Sequence, residues 1–399
     1  MSKEANNFLV AQSGGPSMVI NQSLVGAVLA AAEDKRVGAI YGARHGIRGI
    51  LDGDTIDLRD VSRERLERIA ATPSSALGSV RMKPTPEDCA RIFARLRELG
   101  VRWFLYIGGN DSAETADIIG REAEKAGEEL VCFHVPKTID NDLRENDHTP
   151  GFGSAARFVA SAFIGDDLDN RALGGVKINI VMGRNAGFLT AASALARRAP
   201  GDGPHLIYLP ERPFSAKRFA DDVMRCIERH GRCVVAVSEG IADENGVLIA
   251  SQFSNERDSH GNLQLGGSGA LGDALASLLK RETGGAVKRV RADTFGYLQR
   301  SFPGVASVTD SREARAVGEA AARAALSGKW RSGSVAIRRA DAPDGAYGCR
   351  YEVVPLSSVA KNTRSMPDAF IAPEGNDVTQ AFIDYARPLV GDLPPVETL

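Results

Sequence analysis

Two carboxylates and a lysine stand close together in Pro136-Lys137-Thr138-Ile139-Asp140-Asn141-Asp142. The run follows an apolar stretch, Leu130-Val131-Cys132-Phe133-His134-Val135, which reads as a buried strand. In extended chain, residues two apart point the same way, so Asp140 and Asp142 can face one site with Lys137 at its rim. An acid pair beside an ammonium suits moving a phosphoryl group onto an alcohol. One carboxylate takes the hydroxyl proton, and the cation holds phosphate.

Other loops at strand ends carry compatible groups. Ser13-Gly14-Gly15-Pro16-Ser17 lies between a strand over residues 8–11 and a helix over 21–32. Its glycines let backbone N–H groups approach a phosphate at a helix N-terminus, or they form a plain strand–helix turn. The run is neither GxGxxG nor GxxxxGK, so dinucleotide and P-loop readings lose support. Gly108-Gly109-Asn110-Asp111-Ser112 repeats the arrangement between a strand over 103–107 and a helix over 113–126, where Asn110 or Ser112 can serve as N-cap. Asp111 is the telling residue, because a carboxylate in a phosphate loop repels its ligand unless Mg2+ intervenes. Arg81 and Lys83, in Gly78-Ser79-Val80-Arg81-Met82-Lys83, are either phosphate cations or solvated surface.

Met182-Gly183-Arg184 closes a strand over 178–182, and its arginine can fork onto a phosphate or hydroxyl or close a local ion pair. Glu239 follows a strand over 233–237 and can accept sugar hydroxyls or cap a loop. Arg291 and Gly296-Tyr297-Leu298-Gln299-Arg300 lie in a weakly patterned stretch. Tyr297 and Arg300 together can hold a phosphate monoester, or the tyrosine packs on a half-buried strand. These loops together favour phosphoryl transfer over hydride transfer or hydrolysis.

The elements that must position them alternate along the chain. Helices are expected over 63–71, 86–99 (ended by Gly100), 155–164, 187–197, 215–230, 269–283 and 311–326. Further strands are expected over 131–135 and 205–209, and a surface hairpin over 339–355 turns at Ala342-Pro343-Asp344-Gly345. Strands alternating with helices predict an α/β protein, mostly parallel sheets flanked by helices, with ligands at the carboxyl ends of the strands. A domain seam is expected near Thr149-Pro150-Gly151, crossed more than once. The last forty residues carry the least pattern.

At 399 residues the chain is long enough for two domains. A formal net charge of -2 gives no reason to expect nucleic acid or an anionic membrane as partner. The five scattered cysteines, with no pair at metal-ligand spacing, predict reduced thiols in a cytoplasmic protein. The six histidines show neither HxxxH nor HExxH spacing. No apolar signal core follows the first residues, and no uncharged run approaches the roughly 20 residues of a membrane span.

In these motifs, in order over about residues 8–325, the chain resembles the phosphofructokinase family. Thr138-Ile139-Asp140-Asn141-Asp142 with Met182-Gly183-Arg184 is specific to it. The diphosphate-dependent branch is the closer likeness, since ATP-using members typically carry glycine where this chain has Asp111 and Lys137. The resemblance implies two similar Rossmann-like domains with the active site in the cleft between them. Residues 1–150 plus about 299–350 would take diphosphate, and 151–298 plus about 351–399 the sugar phosphate.

It implies Asp140 as the base for the 1-hydroxyl of fructose 6-phosphate, with Asp142, Thr138 and Lys137 beside it. Gly14, Gly15, Arg81, Lys83, Asp111 and Lys137 would form the donor site. Thr138, Ile139, Asp140, Met182, Gly183, Arg184, Glu239, Tyr297 and Arg300 would form the sugar-phosphate site. Arg291 would be lent across a subunit interface, with Lys177 a looser companion, so a homo-oligomer, a dimer first, is implied. Mg2+ is the implied cofactor, at Asn110 and Asp111. Many members have aspartate where this chain has Asn110, and an amide is a poorer Mg2+ ligand. The implied reaction is reversible and belongs to glycolysis and gluconeogenesis. The rivals are an ATP-dependent enzyme and a catalytically inactive metabolite-binding homologue, which Asn110 alone favours.

Overall fold

In β1 (Asn7–Gln12), Phe8 and Val10 join one apolar cluster while Leu9 and Ala11 join another. A strand that is apolar on both faces needs cover on both, and helices supply it. The computed structural model describes residues 6–252, 269–341 and 346–397. The chain divides into two compact units.

The first unit holds the residues up to Ile139, Leu143–Gly151 and Val308–Thr363. After β1 come α1 (Ile20–Glu33), β2 (Ile40–Ala43), α2 (Ile47–Asp52), β3 (Thr55–Asp57), α3 (Arg63–Ala70), α4 (Pro86–Glu98), β4 (Val101–Gly108), α5 (Asn110–Lys125) and β5 (Val131–Pro136). The second unit holds Asp140–Asp142, Phe152–Ser307 and the chain from Arg364 on. It contains α6 (Phe152–Leu173), β6 (Gly175–Val181), α7 (Phe188–Ala191), β7 (Leu206–Tyr208), α8 (Ala216–His230), β8 (Arg232–Ser238), α9 (Ala270–Glu282), β9 (Val290–Thr294) and α10 (Leu298–Ser301). The chain then returns to the first unit with α11 (Val308–Leu326), β10 (Ser332–Asp341), β11 (Tyr347–Val354) and α12 (Leu356–Val359). It ends in the second with α13 (Gln380–Val390). The return falls at Val308 and the departure after Thr363, against about 299 and 350 expected.

The first unit's sheet has the order β11-β10-β5-β4-β1-β2-β3. Its inner pairs are parallel, and the edge pairs β10–β11 and β2–β3 are antiparallel. The second unit's sheet, β7-β8-β6-β9, is parallel throughout. Sequence caps fix helix ends as the patterning implies. Thr85 and Asp88 form a capping box at α4 with Pro86 in its first turn, and Gly100 follows that helix with φ +61°.

Some elements depart from expectation. The helix after Gly109 starts at Asn110, and Gly109 is its N-cap without a side-chain bond, so neither Asn110 nor Ser112 caps it. The helix expected over 155–164 runs from Phe152 to Leu173, because Asp167 and Asn170 are buried and bonded and do not end it. The helix expected over 187–197 is one short α turn followed by a 3-10 turn, Ala192–Ala196. The hairpin is present, and its turn residues 342–345 lie outside the described residues. No helix among the described residues is long and apolar enough to cross a membrane. All five cysteines are free.

Candidate active site

In the first unit three strand ends converge on two glycine turns. Gly14 has φ +72°, where a side chain is strained, and a Cβ there would stand 3.5 Å from the Lys137 ammonium. That ammonium, only 3% exposed as a residue, donates to the carbonyl of Gly15. The N–H of Gly14 donates to the Val80 carbonyl at 3.2 Å, which places Arg81 directly beside the turn. Ser13 and Ser112 join the two turns through their hydroxyls. Gly108 offers its carbonyl to the Lys137 N–H at 2.9 Å and to His134 Nε2–H at 2.9 Å. A carbonyl only accepts, so His134 carries its proton on Nε2, and Nδ1 accepts from the Ser334 hydroxyl at 2.8 Å. Burial pushes the His134 ring down to about 4, so it stays neutral near pH 7. Glycine turns with a buried ammonium and a helix N-terminus make a cradle for an anion.

Asp111 opens α5 with its side chain 62% exposed and 3.5 Å from the Lys83 ammonium. Lys83 also pairs with Glu114 at 2.6 Å, and that hydrogen bond holds its pKa above the usual value. The Asn110 amide donates to the Asn362 carbonyl at 2.6 Å. An exposed carboxylate beside an amide oxygen is a hard donor set of the kind Mg2+ takes with phosphate and water. These residues could hold a divalent cation, with Asp111 supplying the charge.

The acidic run itself is not extended. Bends at Ile139 and Asp140 and a left-handed Asn141, φ +59°, replace the two-residue alternation expected there. Lys137, Thr138 and Ile139 belong to the first unit, whereas residues 140–142 belong to the second. Thr138 bridges to Gly151, and its carbonyl accepts from the Thr149 hydroxyl at 2.9 Å. Ile139 is buried, Asp140 half-buried and Asp142 buried.

Within the second unit, Met182-Gly183-Arg184 leaves the end of β6. The Met182 N–H donates to Gln299 Oε1 at 3.1 Å, and the Gly183 carbonyl accepts from the Ser238 hydroxyl at 2.7 Å. Glu239, the residue after β8, accepts weakly from the Gly183 N–H at 3.4 Å. Burial, and then the negative charge of Asp140, push its carboxyl up to about 7, opposed by the Arg184 guanidinium. Asp140, Glu239 and Arg184 thus feel one another. Arg300 lies 4.5 Å over the Tyr297 ring. Tyr297 is exposed in the turn before α10, not packed on a strand. Two cations, two acids and an exposed aromatic suit a polyhydroxy phosphate ester.

Arg291 is not brought to this group. It pairs in register with Lys177, five residues before Met182, on the edge strand β9. That separation is about 16 Å along the strand. Lys177, the looser companion of Arg291, is engaged by Asp293 and by Asp166 at 3.3 Å. Elsewhere the fold gathers His205, Cys226 and Cys233 within 4.8 Å, which their spacing does not reveal. There His205 Nδ1 already accepts the Val234 N–H at 2.9 Å.

A family model described as Phosphofructokinase matches residues 7–325. The chain belongs to the phosphofructokinase family. A relative from Rhodospirillum rubrum, named pyrophosphate--fructose 6-phosphate 1-phosphotransferase, is 55% identical over 385 residues, 96% of this chain and 94% of the relative. One of the same name from Xanthomonas campestris is 40% identical over 398 residues, 97% of this chain and 92% of the relative. The crystal structure of pyrophosphate-dependent phosphofructokinase from Nitrosospira multiformis superposes with a TM-score of 0.85 at 32% identity, covering 98% of this chain and 94% of that one. Against this phosphofructokinase frame, sequence reasoning missed Gln299, Ser238 and His134 as supports. His134 had a signal, a polar residue inside an apolar strand.

Proposed function

We propose that this chain transfers a phosphoryl group from diphosphate to the 1-hydroxyl of fructose 6-phosphate, giving fructose 1,6-bisphosphate and phosphate. The observation that carries the donor choice is Lys137, a buried ammonium at the Gly14-Gly15 turn, with Asp111 at the start of α5. The relatives at 55% and 40% identity carry pyrophosphate in their names, which supports the same choice. Asp111 puts negative charge where the inner phosphates of a nucleotide would pass, and Lys137 gives a short donor the charge it needs.

Asp140 accepts the proton of the sugar hydroxyl, with Asp142 beside it. The freed oxygen attacks the nearer phosphorus, the bridging P–O bond breaks, and phosphate leaves with the electron pair. Lys137, Arg81 and the Gly14-Gly15 turn hold the donor, and Lys83 joins them if released from Glu114. Arg184, Glu239, Tyr297 and Arg300 hold the sugar phosphate, with Thr138, Ile139, Met182 and Gly183 shaping the backbone around it. Mg2+ at Asp111 would neutralise charge on the diphosphate. Diphosphate and a phosphate ester differ little in transfer energy, so the reaction runs in both directions and serves glycolysis and gluconeogenesis in the cytoplasm. Arg291, remote from its own chain's Met182, would serve a neighbouring copy, which makes the active species a homodimer or larger.

The experiment supplies purified protein with fructose 6-phosphate, Mg2+ and either diphosphate or ATP. Fructose 1,6-bisphosphate should form with diphosphate. A clear preference for ATP would overturn the donor assignment, and no turnover with either would favour a binding protein.

A further inference from the structure

We propose that Tyr385 and Arg364, in the weakly patterned C-terminal stretch, are positioning residues that hold the Asp140–Asp142 loop in its working shape. The proposal rests on Asp140 being the base. Asn141, between the two acids, is fully buried with φ +59°. Asparagine tolerates this left-handed conformation better than most side chains, but the surroundings must still hold it there.

Two groups from the C-terminal segment do so. The Asn141 side-chain amide donates to the Tyr385 hydroxyl at 2.7 Å. The Asn141 carbonyl accepts from Arg364 Nε at 2.8 Å, and the Asp142 carbonyl accepts from the Arg364 N–H at 2.8 Å. Arg364 Nη2 also donates to the Tyr385 hydroxyl at 3.4 Å, so the two supports brace each other. Both are themselves fixed by aromatic packing. The Arg364 guanidinium lies 4.8 Å over the Phe188 ring. The Tyr385 ring, on α13, packs against Phe370 at 5.1 Å, Phe188 at 6.1 Å and Phe382 at 6.1 Å.

The clamp grips the peptide that links the two carboxylates. Rotation there would swing Asp140 and Asp142 together. Proton transfer needs donor and acceptor within hydrogen-bond reach, and a displacement of about 1 Å can cost on the order of a hundredfold in rate. Both residues therefore act through Asn141 and Asp142, not on the substrate.

The test uses the full chain. Tyr385→Phe keeps the ring and removes the hydroxyl. It should lower kcat about tenfold, leave KM for both substrates within about twofold, and leave Tm nearly unchanged. Asn141→Gly accepts the same φ and loses the same hydrogen bond, so it should fall similarly. The double variant should be little worse than Tyr385→Phe alone, because both substitutions remove the Asn141–Tyr385 hydrogen bond. Arg364→Met should fall further, since it removes the contact to the Asn141 carbonyl. Wild-type kcat in Tyr385→Phe, a double variant whose loss is the product of the singles, or a loss that merely tracks a lowered Tm would each overturn the clamp. Asp140→Asn separates the two claims. If it stays active, the base assignment fails. If it is dead while Tyr385→Phe is normal, only the clamp fails.

Discussion

The glycine turns of the first unit and the acidic loop of the second hold their functional groups by different means. Around Lys137 the supports are backbone hydrogen bonds, two hydroxyls and a histidine kept neutral by burial. Around Asp140 they are side chains from distant segments, and the Glu239 carboxyl that feels its charge is pushed up to about 7. The difference fits the proposed substrates. A compact polyanion needs fixed positive charge and N–H groups. A sugar hydroxyl that must lose a proton needs acids whose charge responds to their surroundings. The first region should therefore respond to loss of charge and be indifferent to pH, and the second should respond to both.

The largest effect expected is on the acidic loop. Asp140→Asn should lower kcat by about 10²–10⁴-fold or more, with fructose 6-phosphate binding retained. Steady-state kinetics with calorimetric binding decides it, and near-native kcat would remove Asp140 from its role. Next comes Lys137→Met, which should lower kcat/KM for diphosphate by about a hundredfold or more, because it removes a buried charge from the donor cradle. A variant as active as wild type would mean that the cradle binds something else.

Arg184→Ala and Arg300→Ala should each weaken fructose 6-phosphate by about 1.5–3 kcal/mol in titration calorimetry, the worth of a charge-assisted hydrogen bond. Diphosphate affinity should barely move. Glu239 sharpens the comparison through pH. Its folded carboxyl lies near 7 against an ordinary 4.5, so the folded chain keeps a proton that the unfolded chain has released. Its contribution is full below about 4.5 and is lost as pH rises through about 7. Relative to Glu239→Gln, wild type should lose up to about 3 kcal/mol of stability across that window, seen by denaturant unfolding. A pH-independent difference between the two proteins would contradict the assignment. The smallest effect belongs to Lys83→Ala, whose half-exposed pair with Glu114 and exposed pair with Asp111 should move stability by less than about 1 kcal/mol.

The two regions also differ in how far the sequence discloses them. The strand–turn–helix units around Gly14 and Gly109 were legible, because apolar runs and glycine turns are local signals. Met182-Gly183-Arg184 and Glu239 were legible as loops after strands for the same reason. The shape of residues 139–142 was not. The left-handed Asn141 depends on Tyr385 and Arg364, more than 200 residues onward, and nothing local announces that contact. Gln299 lies in the Gly296–Arg300 run, but its bond to the Met182 N–H spans 117 residues and leaves no local signal. Strand β9 has no apolar run to mark it, because its burial alternates on an edge with charged Arg291 and Asp293 facing out.

The claim that two regions serve two substrates is tested most directly by titrating each substrate alone, by calorimetry, into Lys137→Met and Arg184→Ala. Lys137→Met should lose diphosphate and keep fructose 6-phosphate at wild-type affinity, and Arg184→Ala should show the reverse. Equal weakening of both substrates by either substitution would contradict the division.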